Sequence, residues 1–326
     1  MSHLTFLEAA VIGLVQGVSE MFPVSSLGHS VLIPAIVGGS WARDLNVAAP
    51  ESPYLAFIVG LHVATALALI VYFRRDWVRI AGGFLTSVRD RAVYTADQKL
   101  AWMIILATIP VGIAGLAFEH SFRVIFGQAR YAAVFLMVNG VVLIAGERFR
   151  RRSSVAADAA SAREREHAEL VAAGRHTSSG TRAVRQREQA AVVVSDRRLA
   201  TLPYVPAVLI GSAQILGLLA GISRDGVTMV AGLTRGLSRE DAGRFAFLLA
   251  TPVILAAGAL KIPDLFGPLG NGIRGQILLA SVLSGIGAYL SVRYLVRYLR
   301  SRTLIPFGVY CLVAGAASLA YLTLVK

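Results

Sequence analysis

Charged residues are scarce in this chain: of its 326 residues only 16% are Asp, Glu, Lys or Arg, where a soluble domain carries roughly a quarter. With a mean hydropathy of +0.64, that deficit excludes an ordinary soluble enzyme. Cysteine is nearly absent. The lone Cys311 rules out an intramolecular disulfide and leaves the redox compartment undetermined. No stretch alternates polar and apolar residues as a membrane β-barrel would. The N-terminus, MSHLTFLEAA, has neither a basic segment nor a small-residue cleavage site, so it is expected to be retained structure and not a signal peptide. The net charge of +13 does not indicate nucleic-acid binding, because the basic residues concentrate in a few loops between apolar blocks, as membrane orientation produces.

What the chain has in abundance is apolar blocks. Six, at about 54–73, 101–117, 131–147, 244–260, 275–292 and 304–324, approach the roughly 20 helical residues needed to cross a hydrocarbon core of about 30 Å. Four shorter ones, at 4–20, 27–38, 203–219 and 226–237, suggest broken or re-entrant helices, tolerated only where they line a cavity. Basic residues cluster after the first span (Arg74, Arg75, Arg79, Arg89, Arg91, Lys99), in segment 148–202 with its twelve Arg, and at Arg293, Arg297, Arg300 and Arg302. By the positive-inside rule these loops are cytoplasmic. The pair 4–38 must then begin and end outside and the pair 203–237 inside, so each dips into the membrane and returns, followed by three spans. The expected fold is an all-α polytopic membrane protein of six transmembrane helices plus two re-entrant hairpins in an inverted-topology repeat. Its parts are residues 1–147, a basic linker at 148–202 expected to be mobile, and residues 203–326. The spacing agrees: Gln16 precedes Ser25 by nine and Gly28 by twelve residues, as Gln214 precedes Ser223 and Gly226. Such repeats place a site near the midplane, where the hairpin tips meet.

The densest polar cluster, QGVSEMFPVSSLGHS at 16–30, falls at the first tip. Glu20 and His29 are ionisable groups at membrane depth and hence candidates for function, the alternatives being a carboxylate paired with an arginine and a packing histidine. Pro23 breaks the chain, and Ser25 and Ser26 open the returning helix, where serine satisfies free N–H groups and phosphate is attracted. His29, one turn on, is expected to face the same way, giving a hydroxyl beside an imidazole. The second tip, AGISRDG at 220–226, offers Arg224 for bidentate phosphate contact, with Gly221 and Gly226 letting the backbone approach an anion. The alternative is a structural pair of Arg224 with Asp225 or Glu20. His62 lies halfway along the first span, as a cavity-lining or a buried structural residue. Pro110, Pro252 and Asn139 are read as kinks and packing.

These residues resemble the undecaprenyl pyrophosphate phosphatases, a family associated with bacitracin resistance. The likeness is carried by Gln16, Glu20 and the PVSS-x-GH run to His29, by HVATALALIVYFR at 62–74, by AGISRDG, and by FLLATP at 247–252. Gln16 stands where Glu is usual, Leu27 for Thr or Ser, Ala220 for Pro and Asp225 for Ser. The resemblance implies an integral-membrane phosphatase that converts undecaprenyl (polyprenyl) pyrophosphate to the monophosphate plus inorganic phosphate, with a divalent cation (Mg or Ca). It implies a site open to the outer face of the bacterial inner membrane. By position Glu20 would assist the metal or the phosphate, Ser26 or Ser25 would attack or hold the phosphate, His29 would be base or alternative nucleophile, and Arg224 would clamp charge. Gln16, Ser223, Gly221, Gly226 and His62 would contact substrate. The partners are the lipid and the membrane, without nucleic acid; homo-oligomerisation is left open. The rival class is a lipid flippase or secondary transporter on the same repeat. A lipid phosphatase with a histidine nucleophile is disfavoured, since Val230 stands where the SR-x5-H pattern needs His.

Overall fold

The computed structural model describes residues 4–45, 53–126, 128–150, 152–174, 195–266 and 272–325, and among them every regular element is helical. The first half holds α1 (Phe6–Met21), α2 (Ser26–Val37), the short α3 (Gly39–Asp44), α4 (Pro53–Tyr72), α5 (Arg74–Asp90), α6 (Ala96–Phe126) and α7 (Ala129–Arg148). After α8 (Arg152–Gly174) come α9 (Tyr204–Ser212), which runs into a 3-10 segment (Ala213–Leu218), α10 (Arg224–Thr234), α11 (Arg239–Phe266), α12 (Arg274–Tyr298) and α13 (Ile305–Leu324). Five helices, α6, α7, α11, α12 and α13, are long and apolar enough to cross a membrane. A sixth is added if α4 and α5, bent by 85° at their junction, are counted as one. Leu116, Ile113, Leu278, Val313 and Leu324 are exposed on these helices, a surface suited to lipid and too apolar for water.

The bend after α4 follows from composition. Beyond Phe73 the chain turns polar, and α5 buries Asp76, Ile80, Gly83 and Ser87 at helical spacing while Val78, Leu85 and Val88 stay exposed. That is the pattern of a helix lying along a membrane surface. The capped helices α1 and α2 have 16 and 12 residues, lengths of about 24 and 18 Å at 1.5 Å per residue, short of the roughly 30 Å core. Helix α10, with 11 residues, is shorter still.

The short helices are held by close backbone approach. Helix α1 packs on α12 and α9 packs on α6. A Cβ on Gly13 would lie 2.6 Å from the Ala280 carbonyl oxygen, and one on Gly211 would lie 2.1 Å from that of Ala107, the small-residue contact that substitutes for hydrophobic driving force in lipid. Helix α4 packs on α11 and α7 on α13.

Segment 148–202, read from its composition as a basic linker, contains helix α8 and a helical turn at 195–199. Asp158 pairs with Arg150 and Arg239, Glu164 with Arg198, and Asp196 with Arg79 and the buried Arg244. Acidic residues spaced among the arginines thus tie α8 and the helical turn at 195–199 to α5 and α11. Residues 175–194 of that segment, and the loop residues 46–52 and 267–271, lie outside the described residues.

Candidate active site

Each hairpin tip is built on a serine cap. In the first, Phe22 leaves α1 in extended conformation, and Ser25 caps α2 by accepting from Gly28 N at 3.2 Å. In the second, Ser223 caps α10 by accepting from Gly226 N at 3.1 Å. Ser25 adopts φ +67°, rare for a residue with a side chain, and its hydroxyl also accepts from Gly221 N at 3.1 Å, joining the tips directly. Gly221 itself has φ +109°, and a Cβ there would stand 2.4 Å from the Ala132 carbonyl oxygen.

Asn139, read from the sequence as a packing residue, is the second bridge. Buried in α7, it donates through Nδ2 to Pro23 O at 2.9 Å and accepts on Oδ1 from Ser223 N at 3.0 Å. A lone carboxamide in an apolar span was the available signal. Asn139→Leu would orphan two buried backbone groups, at about 1–3 kcal/mol each. A fall of about 2–6 kcal/mol in stability is expected, measurable as a lower thermal midpoint in detergent.

Between the tips lies a cavity of about 250 Å³. Its polar end centres on Glu20, whose carboxylate accepts from Arg224 Nη2 at 2.6 Å on Oε1 and from Gln16 Nε2 at 3.0 Å on Oε2. The Ser26 hydroxyl also donates to Oε2, and His62 Nε2 stands 3.3 Å from it. His62 is aimed there by its Nδ1–H, which donates to the Ile58 carbonyl at 2.8 Å. Ser19, Gln214, Ser223 and Asp225 also line the cavity, and Val31, Ile58, Val111, Ile254 and Ala257 form an apolar wall.

Of the residues singled out from the sequence, Glu20, Ser25, Ser26, His62, Ser223 and Arg224 line this cavity. Gln16 touches it through Glu20, while Gly226 and Gly221 serve the tip backbones. His29 does not line it, contrary to the expectation that it faces with the serines. Its Nδ1 meets the Ser25 carbonyl at 2.7 Å, which turns the ring onto Tyr310 of α13, with Nε2 2.7 Å from the phenol oxygen and the rings stacked at 5.8 Å. The imidazole beside Glu20 is that of His62.

Among the described residues no three His, Cys, Asp or Glu side chains are grouped to hold a metal. Magnesium, however, commonly takes one or two carboxylates, waters and substrate oxygens. Glu20 spends its oxygens on Arg224, Gln16 and Ser26. Asp225 lines the same cavity at 2% exposure, and neither of its oxygens accepts a hydrogen bond among the described residues, with Arg224 Nε 3.6 Å from Oδ1. As a hard oxygen donor with open lone pairs, Asp225 fits a divalent cation better than Glu20 does.

A family model described as bacitracin resistance protein BacA matches residues 9–317. The chain is 57% identical to the undecaprenyl-diphosphatase of Mycolicibacterium paratuberculosis, covering 99% of each protein. It is 54% identical to undecaprenyl-diphosphatase 2 of Frankia alni over 97% of each, and 36% identical to undecaprenyl-diphosphatase 2 of Chromobacterium violaceum over 97% of this chain and 98% of the relative.

Proposed function

The chain belongs to the BacA family, and we propose on that premise that it is an integral-membrane undecaprenyl-diphosphatase, which releases inorganic phosphate and returns the monophosphate for reuse as a cell-wall lipid carrier. The observation that carries this reading is the meeting of Arg224, Glu20 and Ser26 from two separate hairpins at the polar end of a cavity whose opposite walls are apolar. A guanidinium suits a phosphate anion, and apolar walls suit a prenyl chain.

In the chemistry we infer, Arg224 exchanges Glu20 for the terminal phosphate of the substrate. Glu20, released from the guanidinium, takes the Ser26 hydroxyl proton, and Ser26 Oγ bonds to the terminal phosphorus. The bond from that phosphorus to the bridging oxygen breaks, and the lipid monophosphate leaves with the electron pair. Water then hydrolyses the phosphoserine. His62 steadies Glu20 through Nε2. Ser25 holds the tips together, and His29 acts by fixing the Ser25 carbonyl against α13. A divalent cation at Asp225 would supply positive charge toward the substrate oxygens.

The helix pairing supports an inverted repeat of residues 1–147 and 203–326. Helix α1 lies on α12 as α9 lies on α6, through Gly13 and Gly211, each three residues before its glutamine. The reading extends to six spans with two re-entrant hairpins, basic loops in the cytoplasm and a site open to the outer face.

Purified protein in detergent is expected to release phosphate from undecaprenyl diphosphate. Chelation should suppress that release, and Asp225→Asn should raise the magnesium concentration needed for half-maximal rate by about tenfold or more, since even outer-shell partners of a metal ligand contribute about tenfold to hundredfold in affinity. Unchanged activity in chelator would remove the cation from the mechanism and leave the phosphatase reading standing.

A further inference from the structure

The hairpins share a pattern, but their glutamines are placed differently. Gln16 and Gln214 stand at the same distance before their capping serines. In the first hairpin the stretch is α-helical, and Gln16 Nε2 donates to Glu20 four residues on. In the second the position four residues on is Leu218, and the stretch is a 3-10 helix. Gln214 has therefore lost the partner its counterpart has. It is 1% exposed, it lines the cavity, and neither its amide nitrogen nor its amide oxygen has a hydrogen-bond partner among the described residues.

A buried carboxamide with both ends unpaired is costly, since each unmade hydrogen bond forfeits the hydration that burial removed. The geometry says where the bonds would be made. In a 3-10 helix residues three apart eclipse one another, so Gln214 shares a face with Gly217. That face is packed on Arg224: a Cβ on Gly217 would lie 2.6 Å from the Arg224 Cβ. Gln214 is thus presented on the Arg224 side of the cavity.

We propose that Gln214 is a substrate-binding residue that contacts the diphosphate headgroup beside Arg224, donating through Nε2–H to a phosphate oxygen and accepting on Oε1 from a protonated one. This rests on the phosphatase reading of the site. The contact is neutral, so it orients the headgroup without adding to the charge that Arg224 supplies. The 3-10 turn keeps the amide open, because it places Gly217, which has no side chain, on the Gln214 face and carries position 218 off it.

The test compares wild type with Gln214→Met, close in shape but unable to make either bond, and Gln214→Glu, which adds negative charge. Three quantities are read: KM and kcat for phosphate release, the Kd for a non-hydrolysable prenyl methylenediphosphonate from its thermal shift in detergent, and the unliganded thermal midpoint. Losing a hydrogen bond to a charged group should weaken analogue binding and raise KM about tenfold to hundredfold in Gln214→Met, with a larger loss in Gln214→Glu. The unliganded midpoint of Gln214→Met should hold or rise, because an unsatisfied buried amide has been removed. A Kd and KM within threefold of wild type would overturn the proposal. So would a fall in the unliganded midpoint that accounts for the lost activity, since the amide would then be structural. Wild type that neither binds the analogue nor releases phosphate would overturn the phosphatase reading and this inference with it.

Discussion

Ser26→Ala should abolish phosphate release, lowering kcat by roughly a thousandfold or more, the scale seen when a nucleophile is removed, while leaving thermal stability nearly unchanged. The adjacent Ser25→Ala should do the reverse in emphasis. Ser25 accepts two buried backbone N–H groups, from Gly28 and Gly221, and its loss should cost about 1–3 kcal/mol for each donor left unpaired. Ser26 instead donates to Glu20 and caps nothing. Neighbouring serines of the same chemistry thus separate into one that reacts and one that builds. Phosphate-release kinetics together with thermal midpoints for both variants check this, and equal loss of activity at unchanged stability in both would refute it.

Arg224→Ala is the second large effect. It removes the cation from the phosphate position and leaves Glu20, 7% exposed, without its guanidinium partner. Breaking a buried pair in this way costs about 3–5 kcal/mol, and losing the donor should cut kcat by roughly a hundredfold to a thousandfold. Arg224→Lys keeps the charge without the planar fork and should recover stability better than rate. The double change Glu20→Gln with Arg224→Ala should restore the midpoint and not the activity. A double variant as unstable as Arg224→Ala alone would show that the pair is not what Arg224 contributes to stability.

The long apolar helices were legible because apolar blocks of that length have few other uses: the six blocks map onto α4, α6, α7, α11, α12 and α13, all but α4 long and apolar enough by themselves to cross a membrane. The tips were legible because Pro23 and the capping serines carry strong local preferences. What stayed hidden depended on direction and pairing. His29 has the spacing to join the serines, but the Ser25 carbonyl claims its ring nitrogen and turns it toward Tyr310. Asn139 gave only the signal of a carboxamide in an apolar run, with nothing to say that it bridges tips lying 116 and 84 residues away in sequence. Gln214 matched Gln16 by spacing, and its difference came from a change of helix type that spacing does not encode. Helix α8 was obscured by composition, since the run of arginines hides that Asp158 and Asp196 pair with Arg239, Arg79 and Arg244 in distant elements.

The ion pair between the tips also constrains how the protein is made. Glu20 and Arg224 are 204 residues apart. At about 5–20 residues per second, the interval between their syntheses is roughly 10–40 s. Throughout it Glu20 has Gln16, Ser26 and His62 as partners from its own half of the chain, but not the guanidinium that joins it to the second tip. The contacts that join the two tips, through Gly221 and Arg224, therefore wait for the last third of the chain, and the site is assembled only once the second hairpin has been made.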